Sequence, residues 1–175
     1  MRALLVLAAA MLLSGCWLGD NLFAPADAQS IVPPGRYRMS GTPGSAPGIV
    51  SIIQLPNGMM RLQGDDEPGG NDITFGVTPF PGRPGLFITW VEGESRTEGF
   101  YGVLRRETGG GFAYYMPSCH RTQELVRAAG GQPTGDGGTP SCRFPNRAAL
   151  ETALRRFSDG LGDLLPMHFV PVPHG

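Results

Sequence analysis

The stretch Gly48–Gln63, GIVSIIQLPNGMMRLQ, decides the fold class, because apolar residues alternate on both sides of Asn57-Gly58. Alternation of period two is the signature of a half-buried strand, and asparagine followed by glycine suits a tight turn whose central residues take positive φ. A two-residue turn at Asn57-Gly58 would set Leu55 opposite Met60 and Ile53 opposite Leu62 on one face, with Gln54 opposite Arg61 on the other.

Working outward, GRYRMSG (35–41) places Tyr37 and Met39 on one face and Arg36 and Arg38 on the other, a further strand before the hairpin. DITFGV (72–77), LFITWVE (86–92), FYGVLRRE (100–107) and GFAYYM (111–116) read as strands after it, parted by PFPGRPG, GESRT and TGGG. Strands at this spacing predict an antiparallel β-meander that twists into a sheet or partial barrel. After Met116 the pattern changes. TQELVRAA (122–129) predicts a short helix capped by Thr122, and CRFPNRAALETALRRFSDG (142–160) predicts a stronger one capped by Asn146. Leu150, Ala153, Leu154, Phe157 and Leu161 make its apolar stripe, and Glu151 is four residues from Arg155, a favourable pairing. This C-terminal α-helix is expected to cover one face of the sheet, which makes the domain mainly β (α+β).

The expected domain organisation is a leader at 1–15, a flexible tether at 16–34, one β-rich domain with its helix at 35–165, and a tail at 166–175. The segment 16–34 carries three prolines and no sustained period. Its Leu22, Phe23 and Ile31 offer a second reading, in which it packs onto the domain. At the start of the chain, Arg2 precedes an apolar run from Ala3 to Leu13, too short to cross a bilayer, which needs about 20 residues. Leu13, Ser14, Gly15 and Cys16 then resemble the lipobox of bacterial lipoproteins. The resemblance implies cleavage between Gly15 and Cys16, a diacylglyceryl group on the Cys16 thiol and an acylated amino group, and two or three chains anchor a protein stably where one does not. Trp17 follows the cysteine where aspartate would imply retention at the inner membrane, so the implied location is the periplasmic face of the outer membrane.

Composition excludes some partners. The net charge is −1, and losing Arg2 makes it −2, so no basic field exists for nucleic acid. All 14 basic residues are arginine. With Cys16 assigned to lipid, Cys119 and Cys142 remain, an even number that in an exported protein predicts a disulfide. The rival is a metal site from Cys119, His120 and Cys142, which lacks a fourth ligand at suitable spacing. No metal and no cofactor is expected. The chain has no G-x-S-x-G elbow, H-E-x-x-H pair, phosphate-binding glycine loop or CxxC motif, and Ser95 in GESRTEG reads as a polar turn.

Two features could bind a ligand. The loop 64–72 gathers Asp65, Asp66, Glu67, Asn71 and Asp72, oxygen ligands of the type calcium takes, without the EF-hand spacing. The aromatic residues Trp90, Phe100, Tyr101, Phe112, Tyr114 and Tyr115 lie on successive strands. Alternation sends them to opposite faces, so some line a groove or barrel interior while others pack under the helix. Of these, Trp90, Tyr101, Tyr114 and Tyr115 are the candidate ligand-binding residues. GRYR at the first strand is similar to the G-x-W opening of lipocalins, with Tyr37 in place of the tryptophan. That resemblance implies a small barrel with an aromatic at its floor. The leading expectation is a non-catalytic, lipid-anchored envelope lipoprotein that binds or organises envelope components. The alternative is a lipocalin-like barrel carrying an apolar ligand. A cavity lined by these aromatics would favour the carrier, and a solid core with a free strand edge would favour a protein partner.

Overall fold

The computed structural model describes residues 17–41, 46–64, 72–92, 98–135 and 140–173. The strands are β1 (Trp17–Asp20), β2 (Gly35–Ser40), β3 (Gly48–Gln54), β4 (Met60–Gly64), β5 (Ile73–Pro79), β6 (Leu86–Glu92), β7 (Glu98–Arg106), β8 (Phe112–Tyr115), β9 (Gln132–Thr134), β10 (Ser141–Phe144) and β11 (Met167–Pro171). The helices are α1 (Cys119–Ala128) and α2 (Arg147–Ser158).

The meander from β2 to β8 pairs antiparallel at every step, and the sheet closes. Closure comes from β11, which lies antiparallel between β8 and β2 and completes an eight-stranded barrel. The stretch expected as a C-terminal tail is therefore a wall strand. Pro171 sits at the strand end and pairs with Tyr37, where proline is tolerated.

The hairpin exists with a register one residue away from the expected one. Ile52 pairs with Leu62, Ile53 with Arg61 and Gln54 with Met60. The Gly58 N–H donates to the Leu55 carbonyl at 3.1 Å and the Leu55 N–H donates to the Met59 carbonyl at 2.8 Å, so the loop has three residues, Pro56 to Gly58. Pro56 supplies the fixed φ for the second position of a type I turn, and Gly58 takes φ 83° after it, the usual three-residue hairpin with a bulge. The shift turns Ile52 inward beside Leu62 and leaves Ile53 outward, 42% exposed.

The barrel wall separates two apolar cores. Inside lie Tyr37, Val50, Ile52, Met60, Leu62 and Val77, among others. Outside β6, β7 and β8, a second core joins Ile88, Trp90, Tyr101, Val103 and Tyr115 to the apolar stripe of α2, Leu150, Ala153, Leu154 and Phe157. The covering helix thus stands where expected, and the Asn146 side chain accepts the Ala149 N–H at 2.9 Å as its cap. Glu151 pairs with Arg147 at 2.8 Å, and the Arg155 guanidinium lies over the Phe80 ring at 5.6 Å. Helix α1 begins at Cys119, three residues before the expected cap. Thr122 instead donates to the Ser118 carbonyl at 2.8 Å and accepts the Trp17 indole N–H at 2.9 Å.

The segment expected to be a tether is part of the domain from Trp17 onward. Strand β1 pairs antiparallel with β7 and parallel with β10, beyond which β9 completes a small extension of the sheet. Trp17 and Phe23 are buried in the outer core, Phe23 stacking on Trp90 at 4.9 Å. Further along, the Gln29 N–H donates to the Val77 carbonyl at 2.8 Å, the Gln54 amide donates to the Ser30 hydroxyl, and the Tyr37 hydroxyl donates to the Pro33 carbonyl at 2.7 Å. These contacts carry residues 28–33 across one end of the barrel, with Val32 turned into the interior. The physical reason is burial: Trp17, Phe23 and Val32 each remove an apolar side chain from water, roughly 1.5–3 kcal/mol apiece for a large one, against the entropy of ordering the segment.

Candidate functional site

The barrel encloses an apolar cavity of about 80 Å³. Since a water-sized sphere takes about 10–15 Å³ on this measure, it holds on the order of six groups of methylene size. Its wall is drawn from all eight barrel strands and includes Met39, Ile52, Leu62, Phe75, Leu104, Phe112 and Phe169, with Val32 at the floor. Among the described residues, none of the lining side chains carries a charge. Burial falls along the axis. Val32, Val77 and Phe87 are buried at the end crossed by residues 28–33, whereas Ile73, Phe75, Val91, Tyr114 and Met167 are half-buried toward the end where β4 connects to β5 and β6 to β7.

Of the four aromatic residues expected to bind ligand, Tyr114 lines the cavity. Its ring lies across Gly102, where a Cβ would come within 2.5 Å of it, so the absence of a side chain at Gly102 makes room for the tyrosine. Trp90, Tyr101 and Tyr115 stand on the other side of the wall, in the core under the helices. Trp90 covers Gly76, where a Cβ would fall 2.1 Å from the ring. Tyr101 fastens the N-terminal segment: its hydroxyl accepts the Leu22 N–H at 3.0 Å and donates to the Asp20 carbonyl at 2.9 Å. Burial pushes the Tyr101 hydroxyl up to about 12, against the pull of the Leu22 N–H. Tyr115 lies beneath the Arg105 guanidinium at 5.1 Å, and burial raises it too. Strand alternation carries the distinction, since Phe112 and Tyr114 share one face of β8 while Ala113 and Tyr115 share the other. Register decided which face was which.

The lining residues that the sequence did not single out as ligand-binding are mostly aliphatic. Ile52, Leu62, Ile73, Leu104 and Met167 look like ordinary core residues in a strand, and only closure of the sheet gives them a common space. One lining residue differs in kind. Thr89 is 4% exposed, lies between Phe87 and Val91 on the inner face of β6, and its hydroxyl has no hydrogen-bond partner among the described residues.

Cys119 and Cys142 form the expected disulfide, with Cα atoms 5.3 Å apart, joining the first residue of α1 to β10. Their sulfurs are engaged with each other, which removes two of the three ligands of the rival metal site. His120 is exposed on α1. Among the described residues no group of three His, Cys, Asp or Glu could hold a metal ion. The lipobox, Ser95 and all of the acidic loop except Gly64 and Asp72 lie outside the described residues. Asp72 accepts from the Gln63 amide at 2.8 Å and stands 4.0 Å from the Arg61 guanidinium. Another charged cluster is structural. The Arg147 guanidinium bonds Asp27 at 3.0 Å and Glu151 at 2.8 Å and covers the Phe23 ring at 4.2 Å, tying the N-terminal segment to α2. The Ala24 N–H and Arg147 hold the Asp27 carboxyl below the usual carboxylate range, outweighing its partial burial.

Protein-family models, curated proteins and solved structures were compared with the chain, and none matches.

Proposed function

We propose that the protein is a carrier of a small apolar ligand held inside the barrel. The observation that carries this reading is the uncharged cavity of about 80 Å³ within a closed eight-stranded wall. Eight strands give an interior that side chains fill or that holds one small molecule, and a dry apolar void of this kind takes up apolar ligands from water. The likeness to lipocalins is one of architecture, with Tyr37 buried in the inner core near the floor. The competing idea of a module that recruits protein partners through a sheet edge has less support, because each of the eight barrel strands is paired on both sides and the edge strand β9 of the extension is only three residues long.

The proposal includes the address. The Leu13-Ser14-Gly15-Cys16 motif supports an acylated Cys16 at the periplasmic face of the outer membrane. Trp17 is already buried in the sheet, so such an anchor would leave the domain without a spacer, directly on the bilayer surface.

Binding is tested with small hydrocarbons by headspace partitioning against the purified protein, comparing wild type with Leu104→Phe, which fills the cavity from the β7 wall. Saturable uptake by wild type and at least a tenfold loss in the folded variant are expected. Equal uptake by both would mean that the cavity is not the site.

A further inference from the structure

Resting on the carrier reading, we propose that the ligand is a neutral aliphatic molecule bearing one alcohol or carbonyl oxygen, and that Thr89 recognises that oxygen. A buried hydroxyl left without a partner is unfavourable, whereas valine would fill the same place on a strand with no polar group to satisfy. Thr89 occupies such a position in a wall otherwise made of hydrocarbon and aromatic side chains.

The surroundings narrow the chemistry. Thr89 pairs directly with Gly102 across the β6–β7 ladder. The Tyr114 hydroxyl lies 2.7 Å from the point a Gly102 Cβ would occupy. Directly paired positions are about 4.5–5.5 Å apart at Cβ, so both hydroxyls of the lining stand on one patch of the wall. A ligand oxygen attached to an alkyl chain would meet both this patch and the hydrocarbon around it. A carboxylate is disfavoured at this depth, since no cationic side chain among the described residues lines the cavity and an unpaired buried charge is far costlier than a hydroxyl. The volume limits the buried chain to about six carbons. A change of the Thr89 χ1 rotamer would exchange the places of its methyl and hydroxyl and could present the hydroxyl to a ligand in the cavity.

The chain from Trp17 onward, which contains both cores and the disulfide, is equilibrated separately with hexane and 1-hexanol, and bound ligand is measured by headspace gas chromatography. Thr89→Val should weaken 1-hexanol binding about fivefold, the worth of one net hydrogen bond, and leave hexane binding unchanged or tighter. Thr89→Ser, which keeps the hydroxyl, should retain the preference for 1-hexanol. If hexane binds and Thr89→Val alters both ligands by the same factor, or neither, the role of Thr89 is overturned and the carrier reading stands. If wild type takes up neither ligand, both are overturned.

Discussion

Replacing Tyr101 by phenylalanine tests whether the chain from Trp17 to Pro34 is a structural part of the domain or a spacer. The ring would stay in the outer core, where it packs near Phe23 at 6.0 Å. The loss is confined to one hydroxyl, which holds the Leu22 N–H at 3.0 Å and the Asp20 carbonyl at 2.9 Å. Each net hydrogen bond contributes about 1 kcal/mol, so losing both costs about 2 kcal/mol at most, with the larger part from the half-buried Leu22 N–H because water can reach the exposed Asp20. For a domain of this size, that lowers the midpoint of thermal unfolding by about 4–8 °C. Urea unfolding gives the free energy, and hydrogen exchange reads the Leu22 amide directly. Its protection should fall more than that of the β6 and β7 amides.

The same side chain predicts a pH dependence. Its hydroxyl is raised from 10.0 to about 12 in the folded protein. The unfolded chain therefore releases the proton first, so the contribution is fully present below pH 10 and is lost as the pH climbs from 10 toward 12. Tyr101→Phe should reduce the alkaline loss of stability without abolishing it, because burial also raises Tyr37 and Tyr115. A stability change below about 0.5 kcal/mol with an unaltered Leu22 amide would refute the argument, since surface substitutions commonly fall within that range.

Reduction of the Cys119–Cys142 bond, which spans 23 residues of sequence, should lower stability by roughly 3.4 kcal/mol on the chain-entropy model. Digestion without reductant should yield one linked peptide pair, and two freely alkylatable thiols would contradict it. Replacing Cys16 by alanine should abolish lipid labelling and leave an uncleaved precursor. A variant still trimmed after Gly15 and fractionating like wild type would end the lipobox proposal.

Much of the wall was legible because its signals are local. Alternation in GRYRMS, LFITWVE and FAYY marks strands whatever they pack against, and the Asn146 cap with its apolar stripe marks α2. The candidate site was less legible. Tyr114 could be named as an aromatic on a strand, but not separated from Trp90, Tyr101 and Tyr115, which belong to a different core. Thr89 gave no signal, because threonine is ordinary in strands and its isolation exists only once the surrounding hydrocarbon is assembled. The hairpin carried its own correction in Pro56, whose fixed φ favours a type I turn ahead of Gly58.

The amino-acid sequence by itself determined the β-meander, the capped helix laid against it, the pairing of the two cysteines left after Cys16, and the lack of a recognisable catalytic motif. These follow from periodicity, turn chemistry and residue counts within short windows. Only the tertiary structure decided that MHFVP closes the sheet, that residues 28–33 floor it, and that the enclosed space is apolar with a single unsatisfied hydroxyl among the described residues. Each of those outcomes depends on contacts between segments far apart in the chain, where a weak local preference yields to the free energy of burying Trp17, Val32 and Phe169 against partners no local pattern identifies.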